Sequence, residues 1–343
     1  MNRILVRAPS DPARFSGNVI LELGDDVANS EDEVEWAHAK RQFLLSGDVY
    51  VTMTSLPAGV ATLQTFDPVR YAALKWPTVA ATQGACNDGP EPGITFDEIT
   101  SLGTLLKQNK ADGPLPGLHV KRVFVTGYSG AAITLLTYDR VFGLNSPLFD
   151  GYFFDAGGPR GQINGCEPAA AAAARTQPPA STVSPVFQSQ AASDIEFFTF
   201  IGLAPLKGQD SDAPNNRYRY YEIAGAAHVD GDIVRSSPER SDLVNTPTAP
   251  NPQAFTESEF LSYCGQTSST LITAFPNRFV DDALWANLEH WAVDGLRYSP
   301  PKEDSPLVIN PSTYSGAPQP GGRSRAACDL RPLTFRSTSM QTG

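Results

Sequence analysis

The feature that most constrains the fold of this chain is the stretch Val123-Phe124-Val125-Thr126-Gly127-Tyr128-Ser129-Gly130-Ala131. It joins an apolar, β-rich segment directly to the helix-forming residues 132–136, with one serine at the junction. A serine between small residues at a strand-to-helix turn is typical of a nucleophile elbow, which holds the hydroxyl clear of the backbone. Gly127 and Ala131 are small, as so tight a turn requires, and the N–H of Gly130 can face a developing oxyanion. The alternative is an ordinary glycine-rich turn, which the flanking strand and helix disfavour.

Composition limits the function classes. With 343 residues and 41% hydrophobic residues, the chain can bury a large core, as one α/β domain with insertions or as two domains. We expect a single domain over residues 1–343. A net charge of −11 argues against nucleic-acid binding, and no apolar run is long enough to span a membrane. No phosphate-binding loop, dinucleotide fingerprint or clustered His/Cys set is present, so we expect no cofactor and no metal. The oligomeric state stays open.

Strand and helix signals alternate along the chain. Apolar runs predict strands at 18–23, 49–54, 120–126, 152–154, 186–190 and 218–223. The patterns Ser30–Glu33 and Thr95–Glu98 resemble capping boxes that open helices, and residues 277–295 have the spacing of an amphipathic helix. This alternation predicts an α/β fold with a mostly parallel sheet covered by helices on both faces. Ligands then bind at the carboxyl ends of the strands.

Three long segments have no place in a minimal fold of this kind: residues 55–94, 156–184 and 229–276. Long loops are usually functional or disordered, so we expect at least one to form a lid or a pocket wall. Four widely spaced cysteines, Cys86, Cys166, Cys264 and Cys328, lie in loop-like surroundings. They suit two disulfides of unknown connectivity in a secreted protein, and four free thiols in a cytoplasmic one remain the alternative.

A serine nucleophile needs a histidine base, and the chain has four histidines. His38 and His290 fall inside predicted helices, and His119 lies at the wrong end of the strand that leads to Ser129. His228 alone follows a strand, in a loop whose small residues Ala224–Ala227 allow close approach to the site. We therefore predict that His228 is the base.

The carboxylate that orients the histidine should follow the preceding strand. Asp194 lies a short turn after the strand at 186–190, and the chain order Ser129, Asp194, His228 is the order that such an arrangement requires. Asp194 also suits a helix N-cap, which is compatible with the same role. Glu196 and then Asp155 are the alternatives.

A second oxyanion donor usually comes from the loop after an earlier strand. Here that position falls on Leu23 or Gly24, although no His-Gly-Gly-Gly signature marks it. Tyr128, beside the serine, is the predicted substrate-binding residue, together with the segment 229–276.

Several stretches together resemble the bacterial and fungal family known as α/β hydrolase domain-containing proteins. They are Ile4–Pro9, Asp11–Gly17, Phe66–Tyr71, the turn at Gly127–Ala131 and Glu222–His228. The resemblance covers most of the chain. It implies an α/β-hydrolase fold and carboxylic-ester hydrolysis by a triad of Ser129, Asp194 and His228.

Two departures from that family stand out. Many members have Glu and Gln around the serine, where this chain has Tyr128 and Gly130, so we expect a different substrate. Members also usually carry a substantial segment before the region that corresponds to Arg7–Phe15, so we expect an N-terminally shortened chain. The expected partner is a small-molecule ester. A lactonase, amidase or acyltransferase with the same triad is the alternative enzyme, and a non-catalytic binding protein of the same fold is the alternative outside catalysis.

Overall fold

The computed structural model describes residues 3–27, 30–79, 89–143, 148–159, 161–177, 183–195, 206–236 and 275–294. The strands within these ranges are β1 Ile4–Arg7, β2 Asn18–Val27, β3 Ser30–Asp32, β4 Val49–Thr54, β5 Thr78–Val79, β6 Gly89–Pro90, β7 Arg122–Tyr128, β8 Gly151–Asp155, β9 Val186–Ala191, β10 Ser211–Ala213 and β11 Asn216–Ile223. The helices are α1 Val34–Ser46, α2 Pro57–Phe66, α3 Ile94–Lys107, α4 Ser129–Val141, α5 Ala169–Ala173, α6 Gly231–Ser236 and α7 Asn277–Asp294, and a 3₁₀ turn covers Pro12–Arg14.

One sheet organises the chain, with strand order β1-β4-β2-β7-β8-β9-β11-β10. The six strands from β4 to β11 in this order run parallel, and the edge strands β1 and β10 are antiparallel to their neighbours. The predicted mostly parallel sheet is therefore confirmed. Because the six strands share one direction, the carboxyl ends of β7, β9 and β11 meet at the same edge, where an α/β sheet binds its ligand.

Helices cover both faces of the sheet, as the sequence predicts. Successive side chains of a strand point to opposite faces, and β2 shows the consequence. Val19 and Leu21 pack in one core with α3 and α4, whereas Ile20 packs in a second core with α1 and α7. The second core contains Trp285, which is fully buried and packs edge-on against Phe43. A strand buried on both faces needs a continuous apolar run, which is the pattern that β2 and β7 have.

Both capping-box predictions are wrong. Ser30–Asp32 forms β3, which pairs antiparallel with the end of β2, and α1 begins only at Val34, without a side-chain cap. Helix α3 begins at Ile94, one residue before the expected cap. The Thr95 hydroxyl donates to the carbonyl of Ser55 at 2.8 Å instead. In each case the residues expected to cap a helix bond to a distant part of the chain instead. The backbone of Ser30–Asp32 pairs with β2, and the hydroxyl of Thr95 bonds to Ser55.

The three long segments contain more regular structure than the sequence indicates. Residues 55–94 hold α2 and the small β5–β6 hairpin, residues 156–184 hold α5, and residues 229–276 begin with α6. Residues 237–274 lie outside the described residues, so a lid stays a prediction. None of the described helices is long and apolar enough to cross a membrane.

Of the four cysteines, the structure describes Cys166. Cys166 is disulfide-bonded. Cys86, Cys264 and Cys328 lie outside the described residues. The number of disulfides, their connectivity and the expected secretion therefore stay predictions.

Candidate active site

Ser129 lies at the tight turn between β7 and α4, as the sequence predicts. Its φ of +51° is in the left-handed region, which a residue with a side chain adopts only at a cost of about 1–3 kcal/mol. Gly127 permits the turn, because a Cβ there would lie 2.8 Å from the carbonyl carbon of Ala131. Ala131 itself is fully buried. The backbone strain and the close approach together are what an elbow of this kind requires.

His228 reaches the serine from the loop after β11. This loop turns at Gly225, with φ +74°, and continues through the buried residues Ala226 and Ala227. The Nε2 of His228 lies 3.0 Å from the Oγ of Ser129, within hydrogen-bond distance. The imidazole is 22% exposed, so it can also meet a substrate.

Asp194 completes the line of contacts on the other side of the imidazole. It lies three residues after the end of β9 and is 3% exposed. Its Oδ1 lies 2.6 Å from the Nδ1 of His228, and its Oδ2 accepts the backbone N–H of Ala191 at 2.7 Å. Both carboxylate oxygens are therefore engaged, which fixes the orientation of the side chain.

The two alternative acids have different positions. Asp155 is buried at the end of β8, and its Oδ1 accepts the hydroxyl of Ser189. Burial raises the pKa of Asp155 to about 8, with the charge of Asp281 adding to the effect. Glu196 lies outside the described residues. Among the described carboxylates, Asp194 is the one that hydrogen-bonds the imidazole of His228.

The surroundings of His228, the candidate base, change its pKa. Burial lowers the pKa of His228, but the negative charge of Asp194 and its hydrogen bond act in the opposite direction, helped by the charges of Asp25 and Asp155. The net effect raises the pKa of His228 above its ordinary value. A histidine with a raised pKa is a stronger base, and a neighbouring carboxylate stabilises the imidazolium form.

The sequence placed a second oxyanion donor in a loop after β2, but β2 continues through that region. Leu23 is paired on both sides, opposite Gly127 of β7 and Met53 of β4, and Gly24 is opposite Thr54. The expected loop is therefore absent at these two positions, because the hairpin with β3 prolongs the strand. A donor role for Leu23 or Gly24 stays a prediction.

Asp25 is the side chain that β2 brings to the turn. Its Oδ1 accepts the backbone N–H of Ala131 at 3.2 Å and would lie 2.9 Å from a Cβ at position 130. Gly130 is thus needed for the close approach of this carboxylate to the first turn of α4. Sequence reasoning missed Asp25, since nothing local distinguishes it from the acidic residues that follow.

Tyr128 occupies a different position from the one expected. Its side chain is 4% exposed, its hydroxyl donates to the backbone carbonyl of His228, and its ring lies 5.1 Å from the imidazole of the same residue. Burial and the surrounding carboxylates raise the pKa of Tyr128 well above its ordinary value, so the hydroxyl remains a donor. A contact with substrate stays a prediction.

A second histidine is buried behind the first. The His38 Nε2 lies 3.3 Å from Asp230 Oδ1, and its Nδ1 lies 2.9 Å from Asp281 Oδ2. Burial lowers the pKa of His38, but these two carboxylates outweigh it and hold that pKa well above its ordinary value. His38, Asp155 and Asp281 offer ligand atoms within 4.8 Å of one another, so these three are the described residues that could hold a cation. Each nitrogen of His38 already faces a carboxylate, which accounts for the cluster as a buried ion pair.

Comparisons with known proteins agree with this architecture. A family model described as an alpha/beta hydrolase domain matches residues 1–321. Because this model matches most of the chain, the chain belongs to the α/β-hydrolase domain family, and the class of protein that its fold defines is a hydrolase. The comparison with curated proteins finds no match.

Solved structures to which the chain is similar include proteins from bacteria and fungi. A structure from work on two fungal esterases of Rhizomucor miehei is 10% identical, covers 86% of this chain and 84% of its own, and has a TM-score of 0.42. Est1E from Butyrivibrio proteoclasticus, with ferulic acid bound, is 7% identical, and the match covers 66% of this chain and 87% of Est1E, with a TM-score of 0.39. A serine hydrolase without a lid from Xanthomonas campestris is 9% identical, and the match covers 68% of this chain and 81% of that protein, with a TM-score of 0.34.

Proposed function

We propose that this protein is a serine hydrolase that cleaves carboxylic esters of small molecules through Ser129, His228 and Asp194. One observation carries the proposal: a continuous line of contacts runs from the Ser129 hydroxyl through both nitrogens of His228 to Asp194, at 3.0 Å and 2.6 Å. A nucleophile, a base and a group that orients the base are the three parts that activate a serine hydroxyl.

The chemistry follows from the positions of these atoms. The Oγ of Ser129 attacks the acyl carbon while Nε2 of His228 takes its proton, and the charge of Asp194 stabilises the imidazolium. In this proposal the backbone N–H of Gly130, in the first turn of α4, donates to the oxyanion. His228 then protonates the leaving alkoxide, which leaves an acyl ester on Ser129. A water molecule that gives its proton to His228 attacks this ester, and the acid departs as the serine recovers its proton.

The test is hydrolysis of a panel of p-nitrophenyl acyl esters by the wild type, Ser129→Ala and His228→Ala. Either substitution should lower kcat by roughly a thousandfold or more, because the three groups act as a unit. His290→Ala is the matched control, since His290 is exposed on α7, and it should retain full activity.

Labelling by a fluorophosphonate adds a measurement that does not depend on the choice of ester. The wild type and His290→Ala should be labelled, and Ser129→Ala should not. Lactones and anilides belong in the same panel, and faster turnover of either would replace the ester assignment. Wild-type inactivity on every substrate together with no labelling would favour a non-catalytic binding protein.

A further inference from the structure

The residues that precede the serine and the acid in the chain both hold the main chain of His228. The backbone N–H of His228 donates to the Oγ of Ser193 at 2.6 Å, and Ser193 directly precedes Asp194. The backbone carbonyl of His228 accepts the hydroxyl of Tyr128, which directly precedes Ser129. Thus each of the two triad partners of His228 contacts its ring, while the neighbour of each contacts its backbone.

The two side chains that make these hydrogen bonds are buried, whereas His228 is partly exposed. Ser193 is 5% exposed and Tyr128 is 4% exposed. A buried backbone group that loses its only partner carries the full desolvation penalty, whereas an exposed one finds water. The two hydroxyls therefore hold the main chain of His228 from buried positions, where a lost hydrogen bond is costly.

Before His228 the loop has two longer backbone hydrogen bonds. The N–H of Ala226 donates to the carbonyl of Ile223 at 3.3 Å, and the carbonyl of Ala226 accepts the N–H of Ser193 at 3.4 Å. Gly225, Ala226 and Ala227 have no long side chains, and Ala226 packs with Ala191 and Ile223 at the ends of β9 and β11. Downstream, Asp230 is fully buried, and its Oδ1 accepts the backbone N–H groups of Asp232 and Ile233 at 2.9 Å each. Asp230 thus fixes the start of α6, two residues beyond the imidazole, while Tyr128 and Ser193 hold the main chain of His228 itself.

We propose that Tyr128 and Ser193 are positioning residues that hold the main chain of His228 so that its imidazole lines up with Ser129 and Asp194. The proposal rests on the function proposed above. Catalytic groups must be held to within about 0.5 Å of their productive positions, and supporting hydrogen bonds do this. Neither residue needs to touch substrate, so their loss should lower kcat and leave KM unchanged.

The experiment compares Tyr128→Phe and Ser193→Ala with two matched controls in the same esterase assay. Tyr138→Phe also deletes a buried tyrosine hydroxyl, one that meets Thr100 at 3.1 Å, and Ser184→Ala deletes a buried serine hydroxyl that donates to the Phe149 carbonyl at 2.7 Å. We expect Tyr128→Phe and Ser193→Ala each to lower kcat about tenfold, with KM within twofold of the wild type. Ser193→Thr, which keeps the hydroxyl, should recover most of that loss.

A second measurement does not require activity. The proton between Nδ1 of His228 and Asp194 should give a low-field ¹H NMR resonance in the wild type and in both controls. The resonance should broaden or disappear in Tyr128→Phe and Ser193→Ala, because a mobile imidazole exchanges its proton faster. If the wild type proves inert towards every ester, the proposed function fails while this resonance still tests the positioning.

Three outcomes would overturn the proposal. The first is kcat within twofold of the wild type in both variants, with the resonance intact. The second is an equal loss of kcat in the two controls, which would indicate a general effect of deleting a buried hydroxyl. The third is a raised KM with unchanged kcat in Tyr128→Phe, which would make Tyr128 a substrate contact, as the sequence had suggested.

Discussion

Replacing Asp194 with Asn tests the structure most sharply, because both carboxylate oxygens already accept a hydrogen bond. One accepts from Nδ1 of His228 at 2.6 Å and the other from the N–H of Ala191 at 2.7 Å. An amide has only one oxygen, so its NH₂ group must face one of these two donors. The N–H of Ala191 cannot move its proton, whereas an imidazole can. The amide oxygen should therefore face Ala191, and its NH₂ should donate to an unprotonated Nδ1.

The resulting tautomer carries its proton on Nε2, the atom that must accept the proton of Ser129. We expect kcat to fall about 10⁴-fold, equivalent to roughly 5 kcal/mol of transition-state stabilisation at about 1.4 kcal/mol per factor of ten. KM should change little, since Asp194 is buried beneath the imidazole.

The pH dependence adds a sign that can be checked. In the wild type the charge of Asp194 raises the pKa of His228, and only the neutral imidazole accepts a proton. Activity should therefore rise with pH through this raised pKa. Removing the charge lowers that pKa, so the residual activity of Asp194→Asn should reach its plateau at a lower pH than the wild type.

The assay is kcat/KM on one p-nitrophenyl ester from pH 5 to 9, with thermal melting to confirm folding. Asp155→Asn is the matched control, a buried carboxylate changed in the same way, and it should lose less than tenfold. Glu196→Gln belongs beside it. A loss above a thousandfold in either of these, with Asp194→Asn within tenfold of the wild type, would refute the assignment of the acid.

Two further predictions concern folding. Gly127→Ala should lower the free energy of unfolding by about 2 kcal/mol or more and abolish activity, because its Cβ would meet the backbone of Ala131 at 2.8 Å. Gly161→Ala is the control: the nearest neighbour of its Cβ lies at 3.6 Å, so this variant should melt like the wild type. Equal melting temperatures for the two variants would contradict the geometry of the turn. Burial, with the charge of Asp48 adding to it, raises the pKa of Glu289 to about 9. The folded state therefore favours the protonated form, and stability should fall as pH rises from about 4.5 to 9. Glu289→Gln removes this dependence and should raise Tm more at pH 9 than at pH 6, whereas the exposed Asp97→Asn should shift Tm equally at both.

The parts of the site that the sequence could reveal depend on local chemistry. The strand–turn–helix around Ser129 is a property of consecutive residues, because the small residues, the apolar strand and the helix formers are adjacent. The meeting of Ser129, Asp194 and His228 could be predicted as well, since parallel strands bring the loops that follow them to one edge. Elimination among only four histidines then left His228.

Other features depended on distant partners and could not be predicted. Ser30–Glu33 has the composition of a helix cap, but Ser30–Asp32 pairs with the end of β2 as a strand instead. Strand pairing therefore outweighs the local preference for a cap. The same extension of β2 removed the loop expected at Leu23 and Gly24 and brought Asp25 to the start of α4. A local pattern contains no information on whether a neighbouring strand has an unpaired edge.

The sequence by itself thus determined the fold class and the tight turn that carries Ser129 in the candidate site, because periodicity, small residues and turn chemistry act over a few residues. Only the tertiary structure decided how His228 is held. Tyr128 and Ser193 reach its backbone across 100 and 35 positions of sequence, and His38 reaches Asp230 across 192. Such contacts arise from the packing of elements that are remote in the chain, and a hydrogen bond is costly to lose where its donor or acceptor is buried.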